Sequence, residues 1–255
     1  MILIVNIMFL KLIFLNLTLS DVMNGMIIPK HVAVILDGNR RWAAEHHLRM
    51  WEGHKYGAQT FDKFLDWCIE LNVEQVSAYV LSSENLNRSK REVIELIRLL
   101  KHELDRFETE RAAKIDKYEI RVRFCGDFSR LPESLVRIMK RIMRKTERYN
   151  KKFLNILIAY GGRYELTNVI KNIIAGAISK RVKITEKTIE ENLLISGDVD
   201  LVIRTGGMSR LSNFMPWQTT YAEFYVTKVL WPDFTKKDLV KAIKWFNNMK
   251  RNFGK

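Results

Sequence analysis

Val32-Ala33-Val34-Ile35-Leu36-Asp37-Gly38-Asn39-Arg40-Arg41-Trp42 begins as a β-branched apolar run and ends as a turn carrying one carboxylate and two guanidiniums. A run that is apolar throughout, rather than alternating, belongs to a strand covered on both faces. The chemistry follows directly, where the chain leaves the strand. A diphosphate, with about three negative charges, is held by arginine forks, backbone N–H groups and a divalent cation on a carboxylate. Asp37, Gly38, Arg40 and Arg41 supply that set. Read alone, an Asp-Gly-Asn segment is also ordinary turn chemistry.

Comparable runs recur at Val76–Leu81, Ile120–Cys125, Leu154–Ala159 and Leu201–Ile203, with a shorter one at Phe224–Val226. Helical patterns lie between most of them: Tyr56–Glu70, Lys90–Lys114, Pro132–Tyr149, Glu165–Ser179, Glu186–Leu194 and Lys236–Phe246. Ser89, Ser129 and Thr235 precede helices as turn or cap residues. Strands alternating with helices predict an α/β fold, a single domain with a mostly parallel central sheet of about six strands flanked by helices. Such sheets bind ligands beyond the carboxyl ends of their strands. Asp37 follows the first strand, Ser82 the second, Gly161 the fourth and Arg204 the fifth.

The 255 residues, 47% of them hydrophobic, suffice for one well-buried domain. A formal charge of +14 and a pI near 9.8 favour anionic partners: phosphorylated small molecules, nucleic acid or an acidic membrane surface. Cys68 and Cys125 stand apart from each other and from histidine clusters, which argues against a disulfide framework, a thioredoxin-like site or structural zinc. The expectation is a cytoplasmic protein, with peripheral contact at an acidic membrane surface left open by the charge. Met1 to Leu19 is very apolar but carries Asn6, Lys11 and Asn16, and a central lysine costs about 2.5–3.5 kcal/mol in a spanning helix. Residues 1–28 therefore read as an extension. Either translation starts at Met23 or Met26, or the segment is mobile or lies on a membrane surface. Residues 29–255 read as the functional domain.

Three further clusters carry chemistry. Ser82-Ser83-Glu84-Asn85-Leu86-Asn87-Arg88 is a nearly uninterrupted polar wall after the second strand, fit for an anion and a departing proton, or for capping a helix. Arg204-Thr205-Gly206-Gly207-Met208-Ser209-Arg210-Leu211-Ser212 places two arginines six apart around Gly-Gly, so that the backbone can fold back and both can meet one phosphate. Glu223 sits among aromatic residues, where a carboxylate needs a cation or hydrogen-bond donors. It either pairs with a lysine or completes a magnesium site with Asp37.

These blocks, with Gly53-His54-Lys55-Tyr56-Gly57, Tyr160-Gly161-Gly162-Arg163 and Leu230-Trp231-Pro232-Asp233-Phe234, occur in an order that resembles the cis-prenyltransferases, the undecaprenyl-diphosphate-synthase-like enzymes. The resemblance runs from about His31 to Phe253. It implies condensation of isopentenyl diphosphate onto a farnesyl or geranylgeranyl diphosphate primer, giving a long polyprenyl diphosphate, precursor of a glycosyl carrier lipid. It implies Mg²⁺ on Asp37 and Glu223, with Asp37 and Asn85 catalytic. Gly38, Asn39, Arg40, Arg41, Trp42 and His54 would meet the allylic diphosphate. Ser82, Ser83 and Arg88 would line the reacting centre, and Arg204, Arg210 and Ser212 would hold isopentenyl diphosphate. It also implies a homodimer, and transient membrane-surface contact for product release.

Some positions depart from the family pattern. Leu86 replaces a customary aromatic residue, Arg49 falls five residues before His54 rather than four, and Met208 and Ser209 replace an acidic residue and a histidine. Val93, Ile97, Leu100 and Leu104 recur at helical spacing, as an ordinary core face or as one wall of an apolar product tunnel. The alternative within the same fold is a non-catalytic partner subunit, against which Asp37, Asn39, Arg204, Arg210 and Glu223 all speak. Nucleic-acid binding is suggested by charge alone and is not expected. It would show steep salt dependence and no need for magnesium. No Gly-x-Gly-x-x-Gly supports a dinucleotide site, and no Asp-Asp-x-x-Asp supports a trans-type prenyltransferase.

Overall fold

The computed structural model describes residues 25–179 and 183–249. Most of the expected extension, residues 1–24, and the segment Arg251-Asn252-Phe253-Gly254 lie outside the described residues. Six strands form: β1 (His31–Ile35), β2 (Gln75–Ser82), β3 (Ile120–Cys125), β4 (Lys152–Tyr160), β5 (Leu201–Arg204) and β6 (Glu223–Val226). They make one sheet in the order β3-β4-β2-β1-β5-β6, every neighbouring pair parallel. The helices are α1 (Asn39–Glu45), α2 (Glu52–Glu70), α3 (Lys90–Thr109), α4 (Ala112–Lys117), α5 (Glu133–Thr146), α6 (Gly162–Ser179), α7 (Glu186–Glu190) and α8 (Lys236–Asn247).

The unbroken apolar character of β1 has the anticipated cause. Val32 and Val34 join one core and Ala33 and Ile35 the other, so successive side chains serve opposite faces of the sheet. The larger core takes Phe64 of α2, Leu135 and Met139 of α5 and Leu239 of α8, together with Trp231 stacked on Phe234 at 5.5 Å. The smaller contains Tyr79, Tyr160, Phe214 and Met215. Each fully buried large side chain contributes about 1.5–3 kcal/mol. Among the described residues no helix is long and apolar enough to cross a membrane.

Three local expectations are corrected. A helix, α1, follows β1 at once, where the sequence reads as a turn. The expected helix Lys90–Lys114 breaks into α3 and α4 at Glu110 and Arg111. The helix expected over Glu186–Leu194 is α7, ending at Glu190.

A buried polar network crosses the sheet. His31, 4% exposed, shares hydrogen bonds with the Asp198 carbonyl at 2.9 Å and Ser77 Oγ at 2.8 Å, and Asn155 Nδ2 donates to the same hydroxyl. Burial lowers the His31 pKa to about 4, against the raising influence of the Asp198 carbonyl and Asp200.

Candidate active site

Beyond the carboxyl ends of β1, β2 and β5 lies a cleft of about 660 Å³. It is lined by residues 36–41, by His54, Ser82, Glu84, Asn85 and Arg88, and by Arg204, Ser212 and Asn213. This is the switch point of the sheet: β1 has β2 on one side and β5 on the other, and the chain leaves them in opposite directions.

Asp37 stands at the centre. Its Oδ2 accepts from Arg204 Nη2 at 2.9 Å and its Oδ1 from Arg41 Nη2 at 3.4 Å. Its backbone carbonyl accepts from Thr205 Oγ1 at 2.7 Å and from the Trp231 N–H at 3.0 Å, which fixes the turn. Gly38 makes that turn possible. It has φ +111°, and a Cβ there would lie 2.9 Å from a Leu230 methyl carbon.

Asn39, the first residue of α1, is buried and donates through Nδ2 to the Leu36 carbonyl at 3.0 Å, while its Oδ1 is buried without a partner. The Gly53-His54-Lys55-Tyr56-Gly57 block is explained by close approach. A Cβ on Gly53 would come 2.0 Å from the Asn39 carbonyl oxygen, and one on Gly57 would come 2.2 Å from Asn39 Oδ1. Two glycines one turn apart thus let α2 press against α1 and carry His54 to the cleft. Burial, then the charges of Arg88 and Arg40, lower the His54 pKa to about 4, so its imidazole is neutral, with Nε2 buried and unpaired.

Arg40 and Arg88 converge on one buried carboxylate. Glu92 Oε1 lies 2.8 Å from Arg88 Nη1 and 3.4 Å from Arg40 Nε. The loop after β2 is shaped by a reciprocal pair, in which the Ser82 N–H donates to Asn85 Oδ1 at 3.2 Å and the Asn85 N–H to Ser82 Oγ at 3.1 Å. Register shifts between β2 and β4 around Leu81 form a bulge just before Ser82, the device that re-aims side chains next to sites. Arg130 ties the loop down from outside, donating to the Ser83 carbonyl at 3.0 Å and to Asn87 Oδ1 at 3.1 Å.

On the β5 side Arg204, 4% exposed, donates to Ser212 Oγ at 2.8 Å and to the Arg210 carbonyl, while its Nε is buried without a partner. The Gly-Gly loop does fold back, but it brings the Arg210 main chain, not its exposed guanidinium, to Arg204. Ser212 and Asn213 both adopt positive φ, at 51° and 64°. Asn213 is a junction: Nδ2 donates to Glu84 Oε1 at 3.0 Å, Oδ1 accepts from the Arg163 N–H at 2.9 Å, and its carbonyl accepts from the Gly162 N–H at 2.7 Å. Burial opposes ionisation of Glu84, but hydrogen bonds from Asn213 and neighbouring groups outweigh it and hold its pKa below the ordinary value.

The structure thus gathers Asp37, Gly38, Asn39, Arg40, Arg41, His54, Ser82, Asn85, Arg88, Arg204 and Ser212 around one cleft. Besides Arg210, whose guanidinium is exposed, three expected residues stand elsewhere. Trp42 is buried, donating from Nε1 to Asp233 Oδ1 at 2.7 Å and stacking on His46 at 3.8 Å, so it packs α1 rather than lining the cleft. The Ser83 N–H donates to the Tyr160 carbonyl at 2.8 Å and its hydroxyl to Glu84 at 3.1 Å. Glu223 opens β6 opposite Leu201, three residues back from Arg204, which itself pairs with the end of β1. One chain alone therefore does not bring Glu223 and Asp37 to a common ion. Among the described residues no group of three His, Cys, Asp or Glu side chains is placed to hold a metal. The donor set at Asp37, one carboxylate in a cleft built for phosphate oxygens, nevertheless fits Mg²⁺, which keeps waters and takes few protein ligands. Sequence reading missed Glu92, Arg130 and Asn213. The signals available were the acid four residues after Arg88 and the Asn beside the already suspected Ser212.

Next to the cleft, and sharing Leu36, Asn39, His54 and Val80 with it, is an apolar cavity of about 100 Å³ beneath α2 and α3. Leu96, Leu99, Leu100, Leu104 and Phe107 of α3 face it. Of the anticipated stripe, Leu100 and Leu104 line it and Val93 and Ile97 do not, a rotation of roughly one residue about the helix axis.

Residues 35–254 match the family model described as "Putative undecaprenyl diphosphate synthase". A relative from Methanopyrus kandleri, "Tritrans,polycis-undecaprenyl-diphosphate synthase (geranylgeranyl-diphosphate specific)", is 39% identical over 89% of this chain and 85% of its own. The crystal structure of lavandulyl diphosphate synthase from Lavandula x intermedia in complex with dimethylallyl diphosphate superposes with a TM-score of 0.83. It is 32% identical and covers 89% of this chain and 98% of its own. A probable undecaprenyl diphosphate synthase from Campylobacter jejuni superposes with a TM-score of 0.74 at 34% identity, covering 90% of this chain and 100% of its own. With its arginine-lined cleft at the switch point of a parallel sheet, the chain belongs to the undecaprenyl diphosphate synthase family of prenyltransferases.

Proposed function

We propose that the protein is a Mg²⁺-dependent cis-prenyltransferase that condenses isopentenyl diphosphate onto an allylic diphosphate primer to make a long polyprenyl diphosphate. The observation that carries this reading is the continuity of an arginine-lined cleft with an apolar cavity, sharing Leu36, Asn39, His54 and Val80. One end suits diphosphates and the other a hydrocarbon chain. Geranylgeranyl diphosphate is the first primer to test, because the Methanopyrus kandleri relative is named as specific for it.

Arg40, Arg41 and the unpaired Nε2 of His54 bind and orient the allylic diphosphate, and Arg204 with Ser212 orients that of isopentenyl diphosphate. The arginines stabilise charge building on the leaving diphosphate as the allylic C–O bond breaks. The double bond of isopentenyl diphosphate attacks the allylic carbon, and the proton then lost leaves beside Ser82 and Asn85. Holding the two substrates side by side supplies much of the acceleration. Asp37 would hold Mg²⁺, which when bound neutralises diphosphate charge and aids its departure. The assembly is a homodimer, a reading supported by family resemblance and by Ile170 and Ile174, one turn apart on α6 and 58% and 53% exposed. It works in the cytosol and touches the membrane surface to release product.

The test is incorporation of radiolabelled isopentenyl diphosphate with farnesyl and geranylgeranyl primers, with Mg²⁺ or EDTA, for wild type and Asp37→Ala. Magnesium-dependent polyprenyl products that vanish in the variant support the reading. No incorporation by folded, dimeric wild type would overturn it.

A further inference from the structure

The apolar cavity beside the cleft is followed by a second one of about 260 Å³, lined by Leu65, Cys68, Val73, Val76 and Ile120 toward the amino ends of the strands. The two cavities share Phe107 and Arg111. From Glu92, beside the cleft, to Phe107 the α3 axis advances about 22 Å at 1.5 Å per residue. The boundary the two cavities have in common is charged. Arg111 Nη2 lies 2.5 Å from Asp62 Oδ1 and 2.6 Å from Glu103 Oε2, and Nη1 donates to the Glu103 carbonyl at 3.1 Å. The guanidinium lies over the Phe107 ring at 4.6 Å, and its Nε is buried without a partner. Arg106 braces the same carboxylates, 3.2 Å from Asp62 and 3.0 Å from Glu103.

We propose that Arg111, clamped by Asp62 and Glu103, is a polar barrier between the two cavities that sets the length at which the growing hydrocarbon product stops. The proposal rests on the prenyltransferase reading above. A polyprenyl chain gains by entering apolar space and can offer no hydrogen bond. At the barrier its leading end meets a guanidinium held by three contacts, and displacing it would leave two half-buried carboxylates with Arg106 as their shared cation. Elongation is favourable up to that point and unfavourable past it, although apolar volume lies beyond. An ion cluster that only tied α2, α3 and α4 together would leave product length indifferent to its removal.

The experiment resolves dephosphorylated products by chain length for three variants alongside wild type. Arg111→Met with Glu103→Met removes the barrier in a charge-balanced way and leaves Asp62 paired with Arg106. Products should lengthen by at least one isoprene unit, with the rate of the first condensation unchanged. Val73→Phe fills the second cavity. Alone it should leave product length at the wild-type value, and added to the double variant it should restore that value. Wild-type lengths from the folded double variant, or shorter products from Val73→Phe alone, would overturn the barrier. If the double variant does not fold, Val73→Phe alone decides by the same criterion. Failure of wild type to make any product strikes the prenyltransferase reading itself, a different signature from active enzymes with unaltered lengths.

Discussion

Arg204→Lys keeps a cation beside Asp37 but removes the fork. The native guanidinium spans Asp37 Oδ2 at 2.9 Å and Ser212 Oγ at 2.8 Å with different nitrogens, and one ammonium cannot serve both. One charge-assisted hydrogen bond is lost, about 1.5–3 kcal/mol. For a domain of this size Tm changes by about 2–4 °C per kcal/mol, so thermal denaturation followed by circular dichroism should shift down by roughly 3–12 °C. The same arm is assigned to the isopentenyl diphosphate, so KM for that substrate should rise about 10–100-fold. Arg204→Ala should cost more. Breaking a buried pair costs about 3–5 kcal/mol, discounted here because the Asp37 side chain is 30% exposed and keeps Arg41 at 3.4 Å. A lysine variant with wild-type Tm and wild-type KM would refute the assignment of Arg204 as a two-armed anchor.

Glu92→Gln, by releasing the charge that holds Arg88 and Arg40, should raise KM for the allylic primer about 5–20-fold while leaving Tm within a few degrees, read by steady-state kinetics and calorimetry. His31 and His54 have folded pKa values near 4, below the ordinary 6.5, so the unfolded chain binds protons first. Stability should therefore be full above pH 6.5 and fall toward pH 4, each histidine adding up to about 1.4 kcal/mol per pH unit. Denaturant titrations of His54→Gln across that window should show a slope shallower by about one proton. Gly57→Ala should destabilise by about 1–3 kcal/mol and lower activity, since the added methyl would overlap Asn39 Oδ1, and an unchanged melting curve would contradict that packing. Asn213→Ala removes the link between Glu84 and the Gly162–Arg163 turn, and should raise the Glu84 pKa toward its ordinary value by NMR titration.

The strands were legible in the sequence because the parallel sheet buries both faces, leaving β-branched runs such as Val32–Ile35 and Ile156–Ala159 with little ambiguity. The carboxyl-end rule then located Asp37, Ser82 and Arg204. Helix α1 was hidden because it starts on Gly38 at positive φ with no side-chain cap, so its first turn carries the signature of a loop. The break between α3 and α4 was hidden because Glu110 and Arg111 are good helix formers. At the break Arg111 pairs with Asp62, a contact 49 positions away in sequence that no local pattern announces. Trp42 and Glu223 lie within motifs that do belong to the site's neighbourhood, but which neighbours reach the cleft is set by strand register and helix rotation. Glu92 and Arg130 touch the residues lining the cleft from behind or beside, Asn213 joins the lining through a loop at positive φ, and no local pattern marks any of the three.

Every arginine lining the cleft has a counter-ion before any anion arrives: Arg204 and Arg41 share Asp37, and Arg88 and Arg40 share Glu92. The cleft is in this sense a preloaded ion exchanger. The repulsion among four guanidiniums is settled when the chain folds, and an incoming phosphate replaces a carboxylate instead of stripping water from bare charge. With Glu84 also lining the cleft, three carboxylates against four arginines leave a surplus of one positive charge, which matches a diphosphate carrying a divalent cation, with about one negative charge, better than a free one with about three. The pairing that holds the empty cleft together thereby favours a metal-complexed substrate over bare diphosphate.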